Sequence, residues 1–161
     1  MLRRIAATLP IPEVANRILR KSDVELVILQ SPGAQIPSPA ELVRGVRQVD
    51  VLLPRASQPV PREVLAANPN LKGIAVYGVG YSNIDVKYAT ELGIPVTNTP
   101  GVLTETTADL GWALLMAAAR KIPQGHMYTL SGQWKGPVDK AFMGLDVGPG
   151  GSNRRKVLGI I

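Results

Sequence analysis

Apolar residues in this chain come in short bursts, separated by stretches in which they recur at helical spacing. The bursts "RRIAATLP" (3–10), "VELVILQ" (24–30), "VDVLLP" (49–54), "LKGIAVYG" (71–78) and "IPVTNTP" (94–100) are short and mostly bounded by proline, glycine or polar residues, the signature of buried strands. Between them, "IPEVANRILRKS" places Val14, Ile18 and Leu19 on one helix face. "SPAELVRGVRQ" opens with Ser38 as N-cap and Pro39 at the first helical position. "PREVLAANP" and "NIDVKYATELG" (83–93) complete the series. Strands alternating with short helices predict an α/β fold: a parallel five-stranded sheet covered on both faces, with right-handed crossovers. The expected order is 2-1-3-4-5, a flavodoxin-like (Rossmann-like) sheet.

The pattern changes after residue 101. "TETTADLGWALLMAAARKI" predicts one long helix over 104–122, with Thr106 to Asp109 fitting a capping box. From Leu110 to Ala119 it is apolar on every side, so a second surface must cover it. "VGPGGSNRR" reads as a polar loop, and "KVLGII" (156–161) as an orphan terminal strand. The surface that covers the helix is either missing from this chain or supplied by another copy of it, and two parts are expected, a domain over 1–101 and a segment over 102–161 that holds this helix and the strand.

Composition narrows the function. A chain of 161 residues, 45% hydrophobic and 19% charged, has an ordinary globular balance. The absence of cysteine excludes disulfides, thiolate metal sites and a cysteine nucleophile. The net charge of +6 is scattered over small groups such as Arg3-Arg4, Arg44 with Arg47, and Arg154-Arg155-Lys156, while aromatics make up only 4%. A nucleic-acid groove interleaves cations with stacking rings, so nucleic acid is not the expected partner. Pro10 and Pro12 cut short the apolar start, and "LGWALLMAAA" is half the length of about 20 residues that a membrane span requires. No membrane partner and a cytoplasmic location are therefore expected.

The candidate chemistry lies in "GIAVYGVGYSNID" (73–85), where a strand breaks into Gly78-Val79-Gly80. A dinucleotide fingerprint needs a third glycine and an acid about 20 residues on. Asn83 occupies the third-glycine position, and "TNTPGV" after the next strand holds no acid. Two readings remain from spacing alone: a nest of Val79 and Gly80 N–H groups for a small anion such as a carboxylate, or a plain strand-to-helix turn.

The run "LKGIAVYGVGYSNIDVKYATELGIPVTNTPGVLTETTADLGWALLMAAARKI", with "SGQWKG" and "LGII" beyond it, closely resembles the D-isomer-specific 2-hydroxyacid dehydrogenases. Val102-Leu103-Thr104-Glu105 is most similar to the glyoxylate/hydroxypyruvate reductase branch rather than to phosphoglycerate dehydrogenases. The resemblance is strong from about residue 49 and general before it. It implies an oxidoreductase of two Rossmann-like domains using NAD or NADP on a small 2-oxo or 2-hydroxy acid, the cleft between them holding both. Carried over, Gly78, Val79 and Gly80 form the loop that binds the substrate carboxylate through backbone amides. Leu53 lines the substrate pocket, and Thr104 lies against the cofactor. The resemblance makes residues 1–101 the substrate-binding domain, and 102–161 the interdomain or dimerisation helices and the first strand of an incomplete NAD(P)-binding domain. The helix over 104–122 would join the domains and take part in a homodimer.

The same resemblance places the cofactor glycine motif and the catalytic arginine, glutamate and histidine after the strand matching "KVLGII". None has a counterpart here, so no catalytic residue is assigned. The chain alone is expected to hold no nicotinamide cofactor tightly and to turn nothing over, awaiting a separate cofactor domain. His126 lies outside the family's histidine motif. Ser82 stands where the family often has aspartate, and "GPGGSNRR" replaces its usual short turn. No metal site is expected, and Asp85 and Glu91 do not share a helix face. The alternative is a non-catalytic flavodoxin-like binding or dimerisation module. A phosphoacceptor receiver is excluded by Thr8-Leu9-Pro10 and Leu53-Pro54-Arg55 at the strand ends where it needs acids.

Overall fold

The computed structural model describes residues 3–29, 36–137, 142, 144–145 and 157–160. It divides into two compact units, Met1–Gly101 and Val102–Ile161.

In the first unit, strands β1 (Arg3–Ala7), β2 (Val24–Ile28), β3 (Val51–Leu53), β4 (Gly73–Ala75) and β5 (Val96–Thr97) form one sheet in the order β2-β1-β3-β4-β5. Every neighbouring pair is parallel, as the alternation of strands and helices predicts. The crossovers carry helices α1 (Glu13–Arg20), α2 (Pro39–Val46), α3 (Arg62–Ala66) and α4 (Val86–Glu91). Leu42, Val46, Leu52, Val60, Val64, Leu65 and Ile74 are sealed from solvent at the centre of the core. Each such side chain contributes about 1.5–3 kcal/mol relative to an exposed one.

Local chemistry sets the helix boundaries. Ser38 caps α2, with a full capping box: its hydroxyl accepts from the Glu41 N–H at 3.3 Å, and Glu41 Oε2 accepts from the Ser38 N–H at 2.8 Å. Helix α4 starts later than the sequence pattern suggests. Ile84 is drawn into the core as a bridge partner of Val60, and Asp85 becomes the N-cap, accepting from the Tyr88 N–H at 3.0 Å. Helix α1 forms, yet Val14 and Ile18 on its apolar face are 59% and 62% exposed.

In the second unit, the single helix expected over 104–122 is two helices, α5 (Thr104–Ala119) and α6 (Ile122–Leu130). The break is at Lys121, whose φ of 53° is left-handed, and Pro123 sits in the first turn of α6. A proline tolerates that first turn because its missing N–H has no partner there in any helix. Leu103, not Thr106, is the N-cap of α5, and no side chain caps it; the Thr106–Asp109 capping box does not form because the helix begins two residues before it. The Tyr128 and Phe142 rings pack with centroids 4.7 Å apart. No strand forms over 157–160, for a strand needs a neighbour to satisfy its backbone groups; Val157 and Ile160 there are almost wholly exposed. The polar loop expected from "VGPGGSNRR" lies outside the described residues. No helix among the described residues is long and apolar enough to cross a membrane.

Candidate functional site: a pair of backbone amides at the strand ends

The strand order reverses between β1 and β3, and open α/β sheets bind ligands at the carboxyl ends of strands beside such a reversal. Thr8, which follows β1, is 1% exposed. Its hydroxyl accepts from the Arg55 N–H at 2.9 Å, and its own N–H donates to the Leu53 carbonyl at 3.2 Å. This side chain ties the end of β1 to the end of β3, and so fixes where half-buried Leu53 sits. The end of β4 is tied to the same place: the Tyr77 N–H donates to the Pro54 carbonyl at 2.8 Å, and Arg55 bridges Tyr77.

The glycine loop follows. Gly78 turns the chain sharply, its N–H donating to the Val76 carbonyl at 2.9 Å. Its φ of 155° lies where side chains are strained, and a Cβ there would stand 2.6 Å from that of Ala56. The next two peptides are held by their carbonyl ends. The Thr99 N–H donates to the Gly78 oxygen at 3.0 Å, and Asn98 Nδ2 donates to the Val79 oxygen at 2.7 Å.

A trans peptide is planar, and its N–H points opposite to its C=O. With Gly78 and Val79 oxygens turned toward residues 98–99, the N–H groups of Val79 and Gly80 point away from them. Neither donates to any acceptor among the described residues. Val79 is 42% exposed, and a Cβ built on Gly80 meets nothing within 4 Å. The outcome is two adjacent free donors on an open surface, fixed in direction by two bonds from the segment after β5. Such a nest suits an anion of the size of a carboxylate.

Asn83 completes the support. Its Nδ2 donates to the Gln58 carbonyl at 2.7 Å and the Arg55 carbonyl at 3.3 Å, while its own backbone carbonyl accepts from the Val60 N–H at 2.8 Å. The side chain at the third-glycine position is therefore a clamp between the two strand-end loops.

A dinucleotide does not fit this loop. Helix α4 starts only at Val86, and Asp85 already holds its first-turn Tyr88 N–H. A pyrophosphate at that helix end would meet the Asp85 carboxylate rather than bare donors. These residues offer a nicotinamide cofactor no phosphate cradle.

The other sequence candidates lie elsewhere. Thr104 is the first residue of α5 in the second unit and is exposed. His126 is exposed on α6. Glu91 lies 4.0 Å from Arg62 in a surface ion pair, and Asp85 is occupied as a cap. No group of three or more His, Asp or Glu side chains comes together among the described residues. Sequence reading missed Thr8, Asn98 and Thr99, whose roles appear only once the strand ends are side by side. For Thr8 a faint signal existed: a hydroxyl at the end of an apolar strand must find a partner when buried.

Comparison with known proteins agrees with this architecture. Residues 5–142 match the family described as D-isomer specific 2-hydroxyacid dehydrogenase, catalytic domain. The glyoxylate reductase of Korarchaeum cryptofilum is 44% identical over 136 residues, taking in 84% of this chain and 40% of that protein. That of Pyrococcus horikoshii is 41% identical over 152 residues, taking in 91% and 44%. Among solved structures, the TT0316 protein from Thermus thermophilus has a TM-score of 0.79 at 38% identity, covering 89% of this chain and 45% of that one. The NADPH-dependent glyoxylate/hydroxypyruvate reductase of Sinorhizobium meliloti, solved with NADP and malonate, has a TM-score of 0.64 at 30% identity, covering 87% and 43%. The chain spans less than half the length of each of these relatives. It belongs to the D-isomer specific 2-hydroxyacid dehydrogenase family.

Proposed function

We propose that this chain is the substrate-binding portion of an NAD(P)-dependent 2-hydroxyacid dehydrogenase, of the kind that reduces 2-oxo acids such as glyoxylate or hydroxypyruvate. The observation that carries the reading is the pair of free N–H groups at Val79 and Gly80, aimed by Asn98 and Thr99. In this reading residues 1–101 are the substrate-binding domain. The two amides hold the acid's carboxylate, Gly78 provides the turn that presents them, and Leu53 lines the pocket. Residues 102–161 belong to the interdomain and dimerisation region, and Thr104 lies toward the cofactor.

The division of labour follows from what the residues can do. Backbone amides read the carboxylate that all 2-oxo acids share, so they anchor the substrate without choosing its side chain. Hydride transfer also requires a nicotinamide at near-attack distance and a positioned acid–base group. The one histidine of this sequence is the exposed His126, far along the chain from the amide pair, and the glycine loop suits no pyrophosphate. We infer that the chain alone does not turn over and that a cofactor domain supplies the rest. In the Sinorhizobium relative NADP is bound alongside a dicarboxylate, consistent with that arrangement.

Self-association is the second part of the proposal. Leu110, Trp112 and Leu114 on α5 are each about 60% exposed, more apolar surface than a lone helix tolerates in water. A second copy of this chain is the partner we assign to it. A purely non-catalytic dimerisation module would share that helix but would make no use of the amide pair.

Absorbance at the nicotinamide band tests the proposal. The chain with NADH or NADPH and glyoxylate, hydroxypyruvate or pyruvate should show no protein-dependent oxidation, and activity should appear when a family cofactor domain is added. Oxidation by the chain alone would overturn the division of labour. Silence with the added domain, together with no binding of oxalate, would favour the non-catalytic module.

A further inference from the structure

The opposite end of the sheet carries a second feature that the dehydrogenase reading leaves unused. At the amino ends of β1, β3 and β4 lies a cavity of about 460 Å³, lined by Arg3, Arg4, Arg47, Asp50, Asn70 and Lys72 among others. Five residues of β1 at about 3.3 Å each separate it from the strand ends that hold the glycine loop. All its lining residues belong to the first unit.

The charges in this cavity do not cancel. Arg4 is satisfied by Glu25, its cross-strand partner, at 2.9 Å, and by the Gln48 carbonyl at 3.2 Å. Lys72 is satisfied by Asp50 at 2.6 Å. The second oxygen of Asp50 accepts from the Arg4 N–H at 2.9 Å, so each oxygen of that carboxylate already holds a donor, and its charge is also felt by Arg3. Arg3 and Arg47 remain. Neither guanidinium makes an ion pair or hydrogen bond among the described residues, and no free acid lines the cavity. The cations here, Arg3, Arg4, Arg47 and Lys72, outnumber Asp50 and the Glu25 paired to Arg4 by two, an excess that a bound anion would offset.

We propose that this cleft is a binding site for a small phosphorylated molecule, with Arg3 and Arg47 as its charged ligands and Asn70 as an uncharged donor. Two excess positive charges match the near-dianionic state of a phosphate monoester at neutral pH. The guanidinium fork fits phosphate oxygens two at a time. The cavity is large enough for a phosphate with a small organic group. No aromatic side chain lines it, so single-stranded nucleic acid, which needs stacking surfaces, is the poorer match.

The test uses the full chain, labelled with ¹⁵N, and follows backbone amide shifts during titration with inorganic phosphate and then pyrophosphate. Saturable shifts are expected at Gln48–Asp50 and Asn70–Lys72, with pyrophosphate binding more tightly. Arg3→Gln together with Arg47→Gln should weaken both by about tenfold or more, the effect of removing charge-assisted hydrogen bonds. Neither side chain makes a hydrogen bond or ion pair among the described residues, so the double variant should keep the wild-type spectrum elsewhere. Should it not, the single Arg47→Glu variant, which reverses a surface charge, gives the same comparison. Shifts reproduced by sodium chloride at equal ionic strength, or unchanged in the variants, would overturn the proposal. So would an oligothymidylate that binds this cleft more tightly than pyrophosphate. Phosphate that also reaches the glycine loop would shift Val79 and Gly80, and that signal would survive in the arginine variants, keeping the two sites distinguishable.

Discussion

Two glycines two residues apart do different work, and substitution separates them. Gly78 has a φ of 155° with Ala56 packed against its missing side chain. Gly78→Ala should cost about 2 kcal/mol or more of stability, through backbone strain and steric overlap, read as a lowered denaturation midpoint. Gly80 faces open space, so Gly80→Leu should leave stability nearly unchanged while blocking an anion's approach to the amides. Asn98 acts at one remove: Asn98→Ala frees the Val79 carbonyl and lets the Gly80 N–H swing. Oxalate affinity should fall about tenfold, the scale of one lost hydrogen bond of fixed direction, whereas a merely structural residue would lower the melting temperature and leave affinity alone. Asp50 gives a pH signature. Its bond from Lys72, and then that from the Arg4 N–H, hold its carboxyl below the ordinary value of 3.8. As pH falls, the unfolded chain takes up this proton first, so the stabilisation present above about pH 4 is lost below it. Asp50→Asn should lower the melting temperature at pH 7, and the gap to wild type should close in melting curves taken below about pH 4.

At the scale of elements, the sequence was most legible where one local rule decided the outcome. Ser38-Pro39 marked the start of α2, and the five apolar bursts became five strands in the expected order. The capping box at Ser38 predicts that Ser38→Ala costs about 1 kcal/mol, measurable by denaturant unfolding. Legibility failed where local rules competed or tertiary packing chose. The apolar run after Leu110 reads straight through Arg120 and Lys121, yet Pro123 was a visible sign of a new first turn. Ile84 fits a helical pattern equally well, and only the core position beside Val60 takes it out of α4. The glycine loop could be placed from sequence at a strand end. The direction of its amides could not, because it is set by Asn98 and Thr99, some 20 residues away in the chain.

The whole molecule presents a polar and an apolar problem. Helix α5 leaves Leu110, Trp112 and Leu114 in water, the surface assigned above to a second copy. Sedimentation should therefore find a dimer at micromolar concentration, and lysine at positions 110 and 114 should yield monomers whose first unit still binds oxalate. A wild-type monomer under the same conditions would rule out self-association while leaving the amide pair intact. The polar problem is the carboxylate site, on which the functional reading depends. The most direct measurement is an amide-shift titration of the labelled chain with oxalate, comparing wild type with Gly80→Leu. Saturable shifts should centre on Val79 and Gly80, extend to Asn98 and Thr99, and be absent from the variant. Saturable binding that leaves those amides unmoved, or that survives in Gly80→Leu, would contradict a carboxylate site at this loop.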